Sequence, residues 1–224
     1  MSPNKTNHKV GDKSSPIVYL VDDDDAIRDS LGLLLRSVGL ECAVYASALE
    51  FLEAYDSERH SCLVADIRMP GLSGLELQQR LNEQHSDIPI IFITGHGDVP
   101  MAVNAMKSGA ADFIQKPFRD QDLIDRIHKA LAQDQEHRVW RSEERSIRER
   151  IASLTPREVE VMQRVVRGQA NKVIAMDLGV SQRTVELHRA RVMRKLKMRS
   201  LAELVSAVGK LGDEAHTGGS ATAP

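Results

Sequence analysis

Aromatic residues are scarce: one Trp, three Tyr and four Phe make up 4% of 224 residues. Any core must therefore be aliphatic, and a hydrophobic fraction of 42% is large enough to supply one. Cysteine is scarcer still. Cys42 and Cys62 fall inside strand-like runs and lack metal-ligand spacing, so both read as buried thiols. No apolar stretch reaches transmembrane length and the N-terminus carries no signal-peptide pattern, which predicts a cytoplasmic protein without membrane contact. Net charge is nearly absent too, at −2. That small figure hides two opposed halves. Residues 17–131 hold 10 Lys/Arg against 19 Asp/Glu, a balance of −9, and residues 151–211 hold 12 against 5, a balance of +7. The length admits one large or two small domains. The asymmetry points to two partners, with the basic half as the candidate for nucleic acid.

In the acidic half the organising feature is Asp22-Asp23-Asp24-Asp25, directly after the apolar run 17–21. Two readings fit it. One is a solvated acidic turn capping the next helix. The other is a cluster whose mutual repulsion is offset by a hard divalent cation such as Mg²⁺. Apolar patterning predicts five strands, at 17–21, 41–45, 61–65, 88–93 and 112–114, alternating with amphipathic helices. Five βα units imply a doubly wound α/β domain with a five-stranded parallel sheet, whose site lies beyond the strand C-termini. Those ends carry Asp22 and Asp23, Asp66, Thr94 and Lys116. Three carboxylates, a hydroxyl and an ammonium on one rim suit Mg²⁺ and a phosphoryl group. The cations neutralise phosphoryl oxygens, Thr94 donates to one, and a carboxylate attacks phosphorus.

Val21-Asp22-Asp23, Asp66-Ile67-Arg68-Met69-Pro70-Gly71 with Gly74 after it, Ile93-Thr94-Gly95 and Lys116-Pro117-Phe118 together resemble the receiver domain of two-component response regulators. The resemblance implies strand order 2-1-3-4-5, the order that also describes a receiver among known doubly wound folds. It implies that Asp66 accepts phosphate from a cognate histidine kinase. It also implies Asp23 as main metal ligand, Asp22 assisting through water, and the Arg68 carbonyl completing the set. Thr94 and Phe113 would be the switch pair, Phe113 standing where Tyr is frequent. Arg68 and His96 are neighbours that vary within the family and are candidates to set phosphate lifetime, and for His96 a solvent-facing loop position is the plainer reading. In the fourth helix, Val99 to Lys107, only Asn104 and Lys107 are polar. Its apolar outer face fits either a partner surface or a helix shielded by the second domain. The stretch from Thr94 to Val103 is similar to the FixJ type, which implies a homodimer on phosphorylation with Val103 and Lys107 in the contact.

Residues 132–150 balance five acids against five bases, with few apolar positions and no Gly or Pro. They read as a helical extension of the fifth helix serving as linker, with flexible coil as the alternative. At Thr155-Pro156-Arg157-Glu158 a second unit begins: a Thr cap, Pro at the first helical position and Glu at the third. Two short helices and a Gly-containing turn then precede a third helix, 182–197, and a fourth, 200–210; this is a small all-α helix-turn-helix domain. On the third helix Val185, His188, Val192 and Leu196 share one face, and Arg183, Leu187, Ala190, Arg191 and Arg194 the opposite one. Arginines can clamp guanine bidentately and Leu or Ala can touch thymine methyls, which suits a major-groove reader. A solvated cationic face is the plainer alternative.

Leu154-Thr155-Pro156-Arg157-Glu158, Asn171-Lys172-Val173-Ile174-Ala175 and the run Val180 to Arg189 resemble the LuxR-type helix-turn-helix. That match implies Glu186, Leu187 and Ala190 near bases, and Thr184, His188, Arg189 and Lys195 toward phosphates. The helical angle instead puts Arg189 near the buried seam. With the receiver, the whole resembles the NarL/FixJ family, FixJ branch, and within it the nodulation regulators. The expected organisation is a disordered arm (1–15), receiver (16–131), linker (132–150), DNA-binding domain (151–211) and disordered tail (212–224). The expected function is a phosphorylation-switched transcription factor, not an enzyme, with double-stranded DNA and RNA polymerase as partners. The rival reading is an Mg²⁺-dependent phosphatase of dehalogenase type, in which Asp22 rather than Asp66 is the nucleophile.

Overall fold

The computed structural model describes residues 15–95 and 99–217. His96, all of the N-terminal arm but its last residue, and residues 218–224 lie outside that range. Five strands form one parallel sheet: β1 (Ile17–Val21), β2 (Glu41–Tyr45), β3 (Ser61–Asp66), β4 (Ile90–Thr94) and β5 (Asp112–Gln115). Their order is β2-β1-β3-β4-β5, as expected. The helices between them are α1 (Asp25–Ser37), α2 (Ala48–Ala54), α3 (Gly74–Glu83) and α4 (Val99–Lys107), and α5 (Asp120–Ala152) follows the last strand.

Alternation along the strands assigns side chains to two faces. Tyr19, Leu63, Ala65 and Phe92 pack with Phe51 of α2, Leu77 and Leu81 of α3 and Ala105 of α4. Val18, Leu20, Val64, Ile91 and Ile93 pack with Leu31 and Leu35 of α1 and Leu123 and Ile127 of α5. Truncating a buried Leu such as Leu63 to Ala costs roughly 2–5 kcal/mol at sites of this kind. Local signals fix where helices begin. Asp24 accepts from the backbone N–H of Ala26 and Ile27 at the head of α1, Ser47 caps α2, and Ser73 with Glu76 makes a reciprocal capping box on α3. β4 starts two residues later than expected because Pro89 has no N–H for the ladder, although its carbonyl still accepts from Leu63.

The chain divides into two compact units, residues 1–138 and 139–224. The second has its own core and four further helices, α6 (Pro156–Val166), α7 (Asn171–Leu178), α8 (Gln182–Leu196) and α9 (Leu201–Thr217). Thr155 and Glu158 form the expected capping box with Pro156 inside it. Gly179, at φ +63°, and Ser181 bound the turn between α7 and α8. α8 stops at Leu196 because Lys197 turns left-handed. Two further expectations change. α9 continues to Thr217, beyond position 210 and into the segment read as a disordered tail. Cys62 is buried as expected, and burial pushes its thiol pKa far up, but Cys42 is only half-buried.

Candidate functional site

Parallel strands bring their C-terminal ends to one rim, and the acidic cluster is assembled there. The backbone N–H of Asp22 donates to the Tyr45 carbonyl (3.3 Å) as the chain leaves β1. Asp22 is 1% exposed. One of its carboxylate oxygens accepts from the Asp24 N–H at 2.9 Å, and the other lies 3.2 Å from Lys116 Nζ. Lys116 also donates to Asp66 Oδ2 at 2.8 Å, while Asp66 Oδ1 accepts from the Arg68 N–H at 3.0 Å. One carboxylate oxygen each from Asp22, Asp23 and Asp66 lies within 4.8 Å of the others. The four aspartates are thereby distinguished. Asp22 is buried, Asp23 is exposed beside it, Asp24 caps α1, and Asp25 pairs with Arg28. The capping reading holds for Asp24, and Asp22 and Asp23 are left in the acidic cluster with Asp66 on which the cation reading depends.

Burial raises the pKa of Asp22, against the lowering pull of the Asp24 N–H and of Lys116. For Lys116, burial acts downward, but the hydrogen bond and charge of Asp66, then those of Asp22, outweigh it and raise the pKa. A buried carboxylate under desolvation, two further carboxylates within reach and only oxygen donors form a set that fits a hard dication such as Mg²⁺.

Two features of the rim were not recognised from sequence. Arg28 reaches back from α1 to donate to the Asp22 carbonyl at 2.5 Å, fixing the acidic turn. A Cβ on Gly74 would stand 2.3 Å from the Asp66 carbonyl oxygen, so the close approach of α3 to the end of β3 requires glycine. The spacing of Gly74 after Asp66 was noted in the resemblance, but its physical cause shows only in three dimensions. Asp66 pairs in register with Ile93, which puts Thr94 one residue further along the neighbouring strand. Thr94 is buried and its hydroxyl donates to the Gly95 carbonyl at 3.2 Å. Phe113 is half-buried against the α2–α4 face of the sheet. On α4, Ala102 and Ala105 are buried, while Val103, Met106 and Lys107 are exposed.

In the second unit, Val185, Val192 and Leu196 of α8 enter the core. Arg183, Glu186, Leu187, Ala190, Arg191 and Arg194 are exposed, Leu187 at 51%. Thr184 and His188 are half-buried. Arg189 donates to Asn171 Oδ1 at 2.6 Å and borders the core beside Val161 and Met162, as its helical angle predicts. Lys195 is differently placed from its implied role. Its ammonium lies 2.6 Å from Glu158 Oε2. That bond and the Thr155 N–H pull the Glu158 carboxyl down to about 2. Within the isolated chain, Lys195 is therefore engaged in holding α6 to α8.

An acidic phosphorylation-type rim on a doubly wound sheet, followed by a basic helix-turn-helix, defines a response regulator with a DNA-binding output. The comparisons agree. Residues 18–128 match the response regulator receiver domain, and residues 152–208 match the bacterial regulatory proteins of the luxR family. Nodulation protein W of Bradyrhizobium diazoefficiens is 46% identical over 200 residues, covering 89% of this chain and 88% of that protein. Transcriptional regulatory protein FixJ of Azorhizobium caulinodans is 48% identical over 188 residues, covering 84% and 89%. The solved response regulator StyR superposes with a TM-score of 0.77 at 47% identity, over 88% of this chain and 99% of that one. The chain belongs to the NarL/FixJ family of response regulators, FixJ branch. The phosphatase reading finds no support among these relatives. Geometry weighs against it too, since the Asp22 carboxylate that would be its nucleophile is buried and held at both oxygens.

Proposed function

We propose that Asp66 is the phosphoacceptor through which a histidine kinase controls DNA binding by this chain. The observation that carries the reading is the Lys116 ammonium bridging Asp66 and Asp22 beside Asp23. An Asp66 oxygen attacks the phosphorus of a phosphohistidine; the new O–P bond forms as the N–P bond breaks. Lys116 is placed to follow the new anion and Thr94 to donate to it. Asp23, with Asp22, Asp66 and the Arg68 carbonyl, would hold Mg²⁺, whose charge offsets that of the phosphoryl oxygens. Phosphorylation adds about −1.5 to −2 charge at Asp66, drawing Thr94 in and Phe113 after it.

The exposed Val103 and Lys107 of α4 support a dimer contact formed in that state. A homodimer presents two α8 helices to a two-fold operator and makes the second contact intramolecular. Arg183, Glu186, Leu187, Ala190, Arg191 and Arg194 face the bases. Thr184 and His188 lie toward phosphates, and Arg189 and Lys195 join them only by releasing Asn171 and Glu158. The setting is the cytoplasm, the output is activation through RNA polymerase, and nodulation-type genes fit the likeness to Nodulation protein W. Acetyl phosphate with Mg²⁺, followed by peptide mass spectrometry, tests the first step. Label on Asp66, lost in Asp66→Asn together with genome-wide DNA occupancy, is the expected result. Label on Asp22, or occupancy unchanged by Asp66→Asn, overturns the reading.

A further inference from the structure

Residues 129–151 lie between the two family matches, and the mixed charge of 132–150 predicts a helix that forms no core. Asp134 departs from that expectation, being 2% exposed. Its Oδ2 accepts from the backbone N–H of Ser61, the first residue of β3, at 3.0 Å, and from Arg138 Nε at 2.7 Å. The other two guanidinium nitrogens of Arg138 spread over three carbonyls in the loop before β3: Ser57 at 2.8 Å, Glu58 at 2.7 Å and Arg59 at 2.6 Å. Two turns back along the helix, His60 Nε2 lies 2.8 Å from the Leu131 carbonyl. Exposed i,i+4 pairs contribute little. Here the carboxylate is dry, every guanidinium nitrogen is bonded, and both charges are tied to backbone, so removing either partner strands the other.

We propose that Asp134 and Arg138 are positioning residues that clasp the outgoing helix to the start of β3, the strand that ends at Asp66. Helix α5 then leaves the receiver with its rotational phase fixed at Arg138. Changes at the rim reach residues beyond 138 through a helix that cannot swivel by itself. The clasp stands on geometry alone; its regulatory consequence rests on the phosphoacceptor reading above.

Full-length wild type, Asp134→Asn, Arg138→Met and Arg138→Lys are compared by hydrogen exchange, with and without acetyl phosphate and Mg²⁺. Lys can reach Asp134 but cannot fork over three carbonyls, so Arg138→Lys should fall between wild type and Arg138→Met and remains informative if the Met variant folds poorly. Amides of 131–142 should exchange about tenfold faster or more in Arg138→Met, as expected for lost charge-assisted bonds at a local opening site. Label on Asp66 should stay at the wild-type level, while the exchange change that phosphorylation causes across 152–208 shrinks. Exchange of 131–142 within twofold of wild type in every variant would falsify the clasp. Faster exchange there with an undiminished phosphorylation response at 152–208 overturns its regulatory role. Absence of label on wild-type Asp66 counts against the phosphoacceptor reading and leaves the clasp readout, which needs no phosphate, intact.

Discussion

At the scale of single residues, the acidic rim shows why identical side chains in sequence do different work. Asp24 is used up in starting α1, and Asp25 in pairing with Arg28, which leaves Asp22 and Asp23 to face Asp66. Sequence patterning located the rim residues, because each follows an apolar run at a strand end. It could not rank the aspartates, since burial and partner are properties of the closed turn. Gly74 makes the same point with a sharper consequence. Its missing Cβ lets the head of α3 touch the carbonyl of Asp66, and a methyl there would also sit 3.0 Å from Phe92 and 3.1 Å from the Ile67 Cα. Two of those three neighbours are backbone and cannot rotate away. Gly74→Ala should therefore lower receiver stability by roughly 1–3 kcal/mol, the usual cost of overpacking, and slow acetyl phosphate labelling of Asp66 by displacing its carboxylate. Urea melts and labelling rates check both. An alanine variant with wild-type midpoint and rate would show that the contact is relieved without moving the rim.

At the scale of elements, what was legible followed from period and caps. The sheet strands are largely apolar runs, and the acidic turn before α1 and Thr155 before α6 act as the caps that the sequence announces. α5 was harder. Beyond Leu131 it has no apolar stripe, and nothing in a run of alternating charges announces that Asp134 is buried; Arg138 lies one turn on, but the Ser61 N–H that shares its carboxylate lies 73 residues earlier in the chain. α9 outran expectation because Gly209 and Gly212 lower helix propensity without forbidding a helix that packs through Leu204, Ala207 and Val208. α8 is legible in both its faces because one helix shows both in its own sequence: Val185, Val192 and Leu196 are buried, and Arg183, Leu187, Arg191 and Arg194 are exposed. It makes a separable claim. Arg191 is exposed and outside the core, so Arg191→Ala should change stability by no more than about 0.5 kcal/mol. It should nevertheless lose discrimination at one base pair by about 1–3 kcal/mol if its guanidinium reads a base edge. Selection of duplexes from a random pool, repeated with the variant, distinguishes the cases. Relaxation at one position supports a base contact, and uniform weakening reassigns Arg191 to phosphate.

At the scale of the whole molecule, the two halves differ in charge by sixteen, −9 against +7, and this difference bears on how the output is used. DNA repels the receiver and attracts the second unit, so binding by one chain gains from only part of its surface. If phosphorylation joins two chains, each operator collects two basic units. Counterion release makes log K fall linearly with log salt, with a slope of about −0.9 per phosphate neutralised. The slope therefore counts contacts independently of affinity. The full chain treated with acetyl phosphate and Mg²⁺ should show a slope about twice that of the untreated chain on the same duplex, because the number of neutralised phosphates doubles when a second unit docks. Asp66→Asn should keep the single-unit slope under both treatments. Equal slopes with and without phosphate, alongside tighter binding, would mean that the modification frees one DNA-binding unit rather than recruiting a second. The role assigned to Val103 and Lys107 on α4 would then fall, while that of the α8 face would stand.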